Sequence, residues 1–304
     1  MPDLRVGECR KITPSALSSA LVAMCVVAVV CLFGCDAADK NHSLTLMNQG
    51  VGYFNEASYP KAVEKLTEAT KIWPKNDKAF FMLGQIYQFK YMQPDKAITN
   101  YDAASEIVPD NASYLYFKGS CLAEVDRNGE AESALVKAVN LDDKHADAHY
   151  RLGLLYEKKG EPIKAATSYG ASVVSNPLKP FAYYNLGDLY FRNDKLEEAR
   201  QVFKNGTENN PKHAELHHGL GVAYLSLTRH REALIEFEEA LRLKAVYPSA
   251  VYNIGMTYLA LGELTKAKSY LESFIKLAGG EDNAARIAAA EARLLEIREA
   301  ENKR

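Results

Sequence analysis

The sequence predicts an all-α solenoid: seven helix pairs in tandem, preceded by an export segment and closed by a C-terminal capping helix. Three observations predict it. Glycine recurs at Gly50, Gly84, Gly119, Gly153, Gly187, Gly221 and Gly255, with spacings of 34, 35, 34, 34, 34 and 34. Alanine recurs at Ala62, Ala97, Ala131, Ala165, Ala199, Ala233 and Ala267, with spacings of 35, 34, 34, 34, 34 and 34. Around each glycine the apolar residues follow a helical period, as Tyr183, Leu186, Gly187 and Tyr190 do at i, i+3, i+4 and i+7. Registered ladders of this length mark a repeat of one helix pair per unit, stacked on its neighbours.

The elements follow in chain order. Arg5, Arg10 and Lys11 make a basic start, and Ala16 to Phe33 carries no charge. This is the n-region and h-region of an export signal. It runs into Leu32-Phe33-Gly34-Cys35, which resembles a bacterial lipobox and implies a signal peptide over 1–34 with lipidation at Cys35. The other readings of the same stretch are an uncleaved signal anchor, since 18 apolar residues lie at the short end of a membrane span, and an ordinary cleaved signal. Asp36 then resembles the residue that retains lipoproteins of enteric bacteria in the inner membrane; inner and outer membrane both stay open. Residues 35–42 read as the lipidated Cys and a short polar tether, reaching about 23 Å if extended.

The repeats are predicted over 43–76, 77–111, 112–145, 146–179, 180–213, 214–247 and 248–281. In the fifth unit Ala199, Phe203 and Gly206 lie at i, i+4 and i+7 of a second helix. Asn193-Asp194 marks the turn before that helix, and Pro211 stops it for want of an N–H. The two small-residue ladders are expected to oppose each other, Gly against Ala, where the two helix axes of a unit approach. Residues 282–304 form the cap, with Ile287, Ala290, Leu294 and Ile297 on one stripe and charge on the other face.

Tyr follows the glycine by three residues in six units, and a closing Pro appears as Pro74, Pro109, Pro177 and Pro211. With W-x2-L-G-x2-Y, A-x3-F and P as the family pattern, the chain resembles the tetratricopeptide repeat (TPR) family over about residues 43–281. The resemblance implies a right-handed superhelix of seven TPR helix pairs whose concave groove is lined by the first helices and holds protein partners. Residues three before each Gly would line that groove: Met47, Phe81, Tyr116, Tyr150, Tyr184, His218 and Tyr252. The row one after the Gly reads Val51, Gln85, Ser120, Leu154, Asp188, Val222 and Met256, with Arg151, Asn185 and Asn253 beside it. Such a surface fits an amphipathic helix or extended peptide anchored by aromatics. The same tyrosines also serve as scaffold in the family. The basic set of the chaperone-binding carboxylate clamp does not match: aliphatic, aromatic or small polar residues stand at its positions.

Composition narrows the function. The 304 residues carry 37 Lys plus Arg and 39 Asp plus Glu, a net charge of −2, which argues against a dedicated nucleic-acid binder. Loss of residues 1–35 removes three basic and two acidic side chains and moves the net charge from −2 to −3. Four of the five cysteines fall at or before Cys35, so no disulfide framework is expected and Cys121 reads as a buried small hydrophobe. His145 with His149, and His213 with His217, lie at i, i+4, but the repeat explains both pairs and no third ligand stands near, so no metal is expected. No P-loop, nucleophile elbow, H-E-x-x-H or C-x-x-C motif occurs, and no cofactor is implied. The expectation is a non-catalytic scaffold of the bacterial envelope, lipid-anchored and facing the periplasm. Its layout resembles type IV pilus pilotins, adaptors of peptidoglycan hydrolases and outer-membrane assembly factors. The alternative is an auxiliary subunit of a polysaccharide-export or glycosyltransferase complex.

Overall fold

A computed structural model describes residues 36–279 and 283–302. The export segment, Cys35, and the ends of the predicted cap lie outside the described residues. The helices are α1 (36–55), α2 (Tyr59–Ile72), α3 (Asp77–Phe89), α4 (Pro94–Ile107), α5 (Ala112–Glu124), α6 (Asn128–Leu141), α7 (Ala146–Lys158) and α8 (Pro162–Ser175). They continue as α9 (Pro180–Arg192), α10 (Leu196–Asn209), α11 (Ala214–Ser226), α12 (His230–Leu243), α13 (Pro248–Ala260), α14 (Leu264–Leu277) and α15 (Ala284–Asn302). No strand occurs among the described residues. The chain divides into two compact units at Val125/Asp126.

Helix starts and stops have local causes. Pro stands at the first or second position of α2, α4, α8, α9 and α13, where a missing N–H costs nothing. Asn76 and Asn111 cap α3 and α5 by accepting the N–H of Ala79 at 3.1 Å and of Ser113 at 3.0 Å. His145 does the same for α7, its Nδ1 accepting from Ala148 N at 3.2 Å. Proline does end the second helix of the fifth unit: α10 stops at Asn209, and Pro211 follows the C-cap Asn210.

A third ladder runs through the turns. One residue in each hairpin turn has φ between 51° and 75°: Ala57, Met92, Asp126, Gly160, Asp194, Thr228 and Gly262. Only two of these are glycine, so the repeat imposes a left-handed turn on residues that resist it. The residue types vary along this ladder, and only the Asn193-Asp194 turn was legible beforehand.

The segment 36–42 is helical and continuous with α1 rather than an extended tether. Its length is therefore about 10 Å, at 1.5 Å per residue. Ser43 explains the continuity. It is fully buried, donates to Ala69 O at 2.7 Å and accepts from Asn76 Nδ2 at 2.9 Å, clamping α1 to the end of α2 and the loop that follows.

The core corrects the expected opposition of Gly and Ala. The seven ladder alanines are each fully buried. Yet a Cβ on the glycines would first meet the residue four beyond the alanine. That partner is Leu66 for Gly50, Phe203 for Gly187, Phe237 for Gly221 and Leu271 for Gly255, at 2.6–3.0 Å. Tyr101 and Tyr169 lie closer still on Gly84 and Gly153. The glycine makes room for a ring or isobutyl group of the second helix, not for a second bare backbone. In the second unit one apolar cluster runs from Tyr183 through Phe203, Phe237 and Phe274 to Ala290, Leu294 and Ile297, so α15 covers the end of the core through its stripe. In the first unit Leu46, Leu66, Leu83 and Ile86 form a corresponding cluster.

Candidate functional site

The candidate site is taken unit by unit: α1, α3 and α5 are the first helices of the N-terminal unit, and α7, α9, α11 and α13 are those of the C-terminal unit. Met47, Phe81 and Tyr116 are half-buried on the former, and Tyr150, Tyr184, His218 and Tyr252 on the latter. Each ring has a scaffold contact. Phe81 packs on Tyr114 and Phe117 at centroid distances of 4.8 and 5.1 Å. Tyr116 meets Phe117 at 5.0 Å. Tyr150 lies on Tyr169 (5.8 Å), Tyr184 on Phe203 (6.1 Å) and Tyr252 on Phe274 (5.0 Å). Tyr150, Tyr184 and Tyr252 are thus held from behind by second helices, while Phe81 and Tyr116 rest on rings of α5, and part of each surface is left open.

His218 differs from the rest of its row. Its ring packs against Phe237 at 5.7 Å and Tyr247 at 5.0 Å, and its Nε2 accepts from Asn253 Nδ2 at 3.0 Å. Burial, aided by the Arg286 charge, pushes the imidazole down to about 4, so it is neutral at neutral pH. Tyr247, in the loop before α13, is a partner that the repeat pattern does not reveal.

Between α7 and α9 the face turns polar. An open pocket of about 400 Å³ is lined by Leu154, Glu157, Lys158, Asn185 and Asp188. Glu157 accepts from Tyr169 OH at 2.8 Å and pairs with Arg192, whose Nε also donates to Asp188 Oδ2 at 2.7 Å. Asn185 Nδ2 donates to Tyr150 OH at 3.3 Å. Burial raises the Tyr150 phenol; the Asn185 bond and the nearby Arg151 charge oppose the shift. Lys158 turns aside to Asp126. The reading of the sequence named Asp188, Asn185 and Arg151 here but missed Arg192 and Tyr169. Arg192 sits five residues after Gly187, at a helix end, and only the fold aims it at two carboxylates.

The residues weighed for other chemistry have structural partners. The Cys121 thiol is buried and pushed up to about 12, so it stays protonated and unreactive. His149 Nε2 lies 2.9 Å from Asp143 O, and His217 is held between Glu236 Oε2 at 2.7 Å and Pro211 O at 3.2 Å. Among the described residues no group of three or more His, Cys, Asp or Glu gathers for a metal ion, and no helix is long and apolar enough to cross a membrane.

Tandem helix hairpins, six of them closed by a side chain lying on a glycine, with rings along their first helices, define a helical-repeat interaction protein. The tetratricopeptide repeat profile matches at residues 124–183, 150–211 and 184–248, and a second profile of the same description at 248–280. Together these cover just over half of the chain, which belongs to the tetratricopeptide repeat family. It is 27% identical over 142 residues to a probable UDP-N-acetylglucosamine–peptide N-acetylglucosaminyltransferase, SPINDLY of Hordeum vulgare. That match covers 44% of this chain and 15% of the barley protein, so the chain spans a small part of that relative. Among solved structures, MamA is similar with 28% identity and a TM-score of 0.51, over 54% of this chain and 95% of its own. PilF of Pseudomonas aeruginosa is similar with 21% identity and a TM-score of 0.58, over 70% and 96%. At that identity the likeness to PilF is one of fold.

Proposed function

We propose that this protein is a non-catalytic adaptor of a bacterial envelope complex, tethered to a membrane through Cys35, that holds a protein partner on the face of its first helices. One observation carries the binding half of this reading. The ring row and the pocket between α7 and α9 place apolar anchors beside fixed donors and acceptors, the pattern of a surface that buries a peptide and fixes its register. Leu154, Val222 and Met256 add half-buried apolar surface along the same face.

The tethering half rests on the apolar run Ala16–Phe33 and the Leu32-Phe33-Gly34-Cys35 sequence. Mass spectrometry of the membrane-extracted protein should find an N-terminal acylated Cys35; an unmodified chain that still begins at Met1 refutes the tether. For the face, affinity capture from envelope fractions is compared between the wild type and Leu154→Glu/Val222→Glu. The double variant should keep the wild-type melting temperature within a few degrees and lose the specific partner. A folded double variant with an unchanged set of partners would end the reading.

A further inference from the structure

We propose that the N-terminal end of the first unit, where Lys40 lies over Trp73 and Lys71, Lys75 and Lys78 flank it along the chain, is a contact surface for anionic lipid headgroups. The proposal rests on the tethered reading above for which end faces the membrane. The lysines of this unit fall into two groups. Lys65 pairs with Glu68 and Lys118 with Asp102, while Lys61, Lys90 and Lys96 lie over the rings of Tyr53, Tyr59 and Tyr87. The other four gather at one end. Lys40 lies 5.4 Å over the Trp73 ring. Lys71 is in the last turn of α2, Lys75 is in the loop and Lys78 is in the first turn of α3; all three are exposed and make no ion pair with a described residue.

The Ser43 clamp to Ala69 and Asn76 fixes this arrangement, because it seats α1 against that loop. The four lysines face three carboxylates: Asp36 and Asp39 are exposed, and Asp77, which accepts the Tyr114 hydroxyl at 2.6 Å, keeps its charge. The balance at this end is positive by one. Cys35, the acylated residue of the tethered reading, immediately precedes α1 in the sequence, and the helical 36–42 segment spans about 10 Å. A membrane holding the acyl chains of Cys35 therefore lies within reach of the Trp73 loop. Trp favours the headgroup level of a bilayer, and clustered lysines are drawn to anionic lipid. Clustered lysines beside a lipid anchor add electrostatic attraction to the acyl-chain anchoring and set which face of the first unit lies on the lipid.

Trp73 is the only tryptophan of the chain, so its emission reports on this surface alone. The full-length protein is reconstituted into phosphatidylcholine vesicles with or without about 40% phosphatidylglycerol, with acyl-brominated lipid as quencher. Emission should shift to the blue and be quenched in the anionic vesicles only, and 1 M NaCl should abolish the response, since screening then acts within about 3 Å. Each lysine should contribute about fivefold to the affinity for anionic vesicles, so Lys40→Glu/Lys71→Glu/Lys75→Glu/Lys78→Glu should abolish it. Lys75→Gln/Lys78→Gln, at two exposed sites, gives the same test with less risk to folding and should weaken it at least tenfold. Equal emission in both vesicles, or an unaltered response in the lysine variants, overturns the proposal. An equal blue shift on adding heparin without lipid also overturns it, because the surface would then bind any polyanion. Flotation with pure phosphatidylcholine reads the tether separately: a chain that floats while Trp73 stays silent keeps the tether and loses this surface.

Discussion

The Phe203 ring lies on Gly187, with its Cε1 2.7 Å from where a Cβ on that glycine would stand. The same ring also meets Gly219 of the next first helix, at 2.5 Å to the position of a Cβ there. One side chain thus joins two hairpins by filling the space that two glycines leave. Gly187→Leu should therefore lower stability by about 3 kcal/mol, the upper end of overpacking costs, since a side chain there displaces the ring from both helices. Tyr184→Ala, which removes a half-exposed ring, should cost less. Gly170→Ala is the control: nothing lies within 4 Å of its Cβ position, and it should stabilise by about 0.5–1 kcal/mol. Denaturant unfolding of the three variants checks the order, and equal midpoints for Gly187→Leu and Tyr184→Ala would contradict it.

The left-handed residues in the turns give a second test. Thr228 holds φ at 58° with a β-branched side chain, and Met92 holds 51°. Replacing either with Gly should stabilise by about 0.5–1 kcal/mol, the left-handed cost minus the chain entropy that Gly adds. Gly160→Ala, at φ 72°, should destabilise by about 1 kcal/mol. Thermal melts reporting the reverse signs would show that the turns are not held by their hairpins.

These two ladders show how far the sequence could be read. Gly187, Ala199 and Phe203 are legible because the same residue types recur at the same register in every unit, and recurrence exposes the helix pair. The partner of each glycine was misassigned to the alanine, because spacing identifies which positions are small but not which side chain enters the space. The turn ladder escaped notice because backbone conformation is shared while residue type varies among Ala, Met, Asp, Thr and Gly. In the site, Tyr150 and Asp188 were legible from their row. Tyr247 and Arg192 were not, since one sits in a loop and the other at a helix end, where side-chain direction follows from packing.

Adjacent histidines should give opposite pH responses. His218 is lowered to about 4 by burial, so its neutral form is favoured in the fold. Its contribution is present above the unfolded value near 6.5 and is lost as pH falls from there through about 4, with a ceiling of roughly 3 kcal/mol. Burial disfavours the charge on His217 too, but the bond to Glu236 outweighs it and raises that group. The stabilisation from His217 is present below about 6.5 and fades as pH rises through its folded value. His218→Leu should flatten the loss of stability between pH 6.5 and 4, and His217→Leu should leave that range unchanged but remove the loss that sets in as pH rises above about 6.5. Urea midpoints measured on both sides of about pH 6.5 decide between these signs.

The buried tyrosines of the second helices carry a polar duty that mutation can isolate. Tyr101, fully buried, donates to Gln88 Oε1 at 2.8 Å, and Gln88 Nε2 donates to both carboxylate oxygens of Glu124 at 3.1 Å. Burial drives the Tyr101 phenol well above its ordinary range, so it is a permanent donor at any working pH. Tyr101→Phe keeps the ring on Gly84 but leaves the buried Gln88 carbonyl without that donor, which should cost about 1–3 kcal/mol. Adding Gln88→Leu to Tyr101→Phe should recover part of the loss by removing the stranded amide carbonyl, although Glu124 then loses its donor. Additive losses in the double variant would mean that the hydroxyl acts through packing rather than through the bond to Gln88.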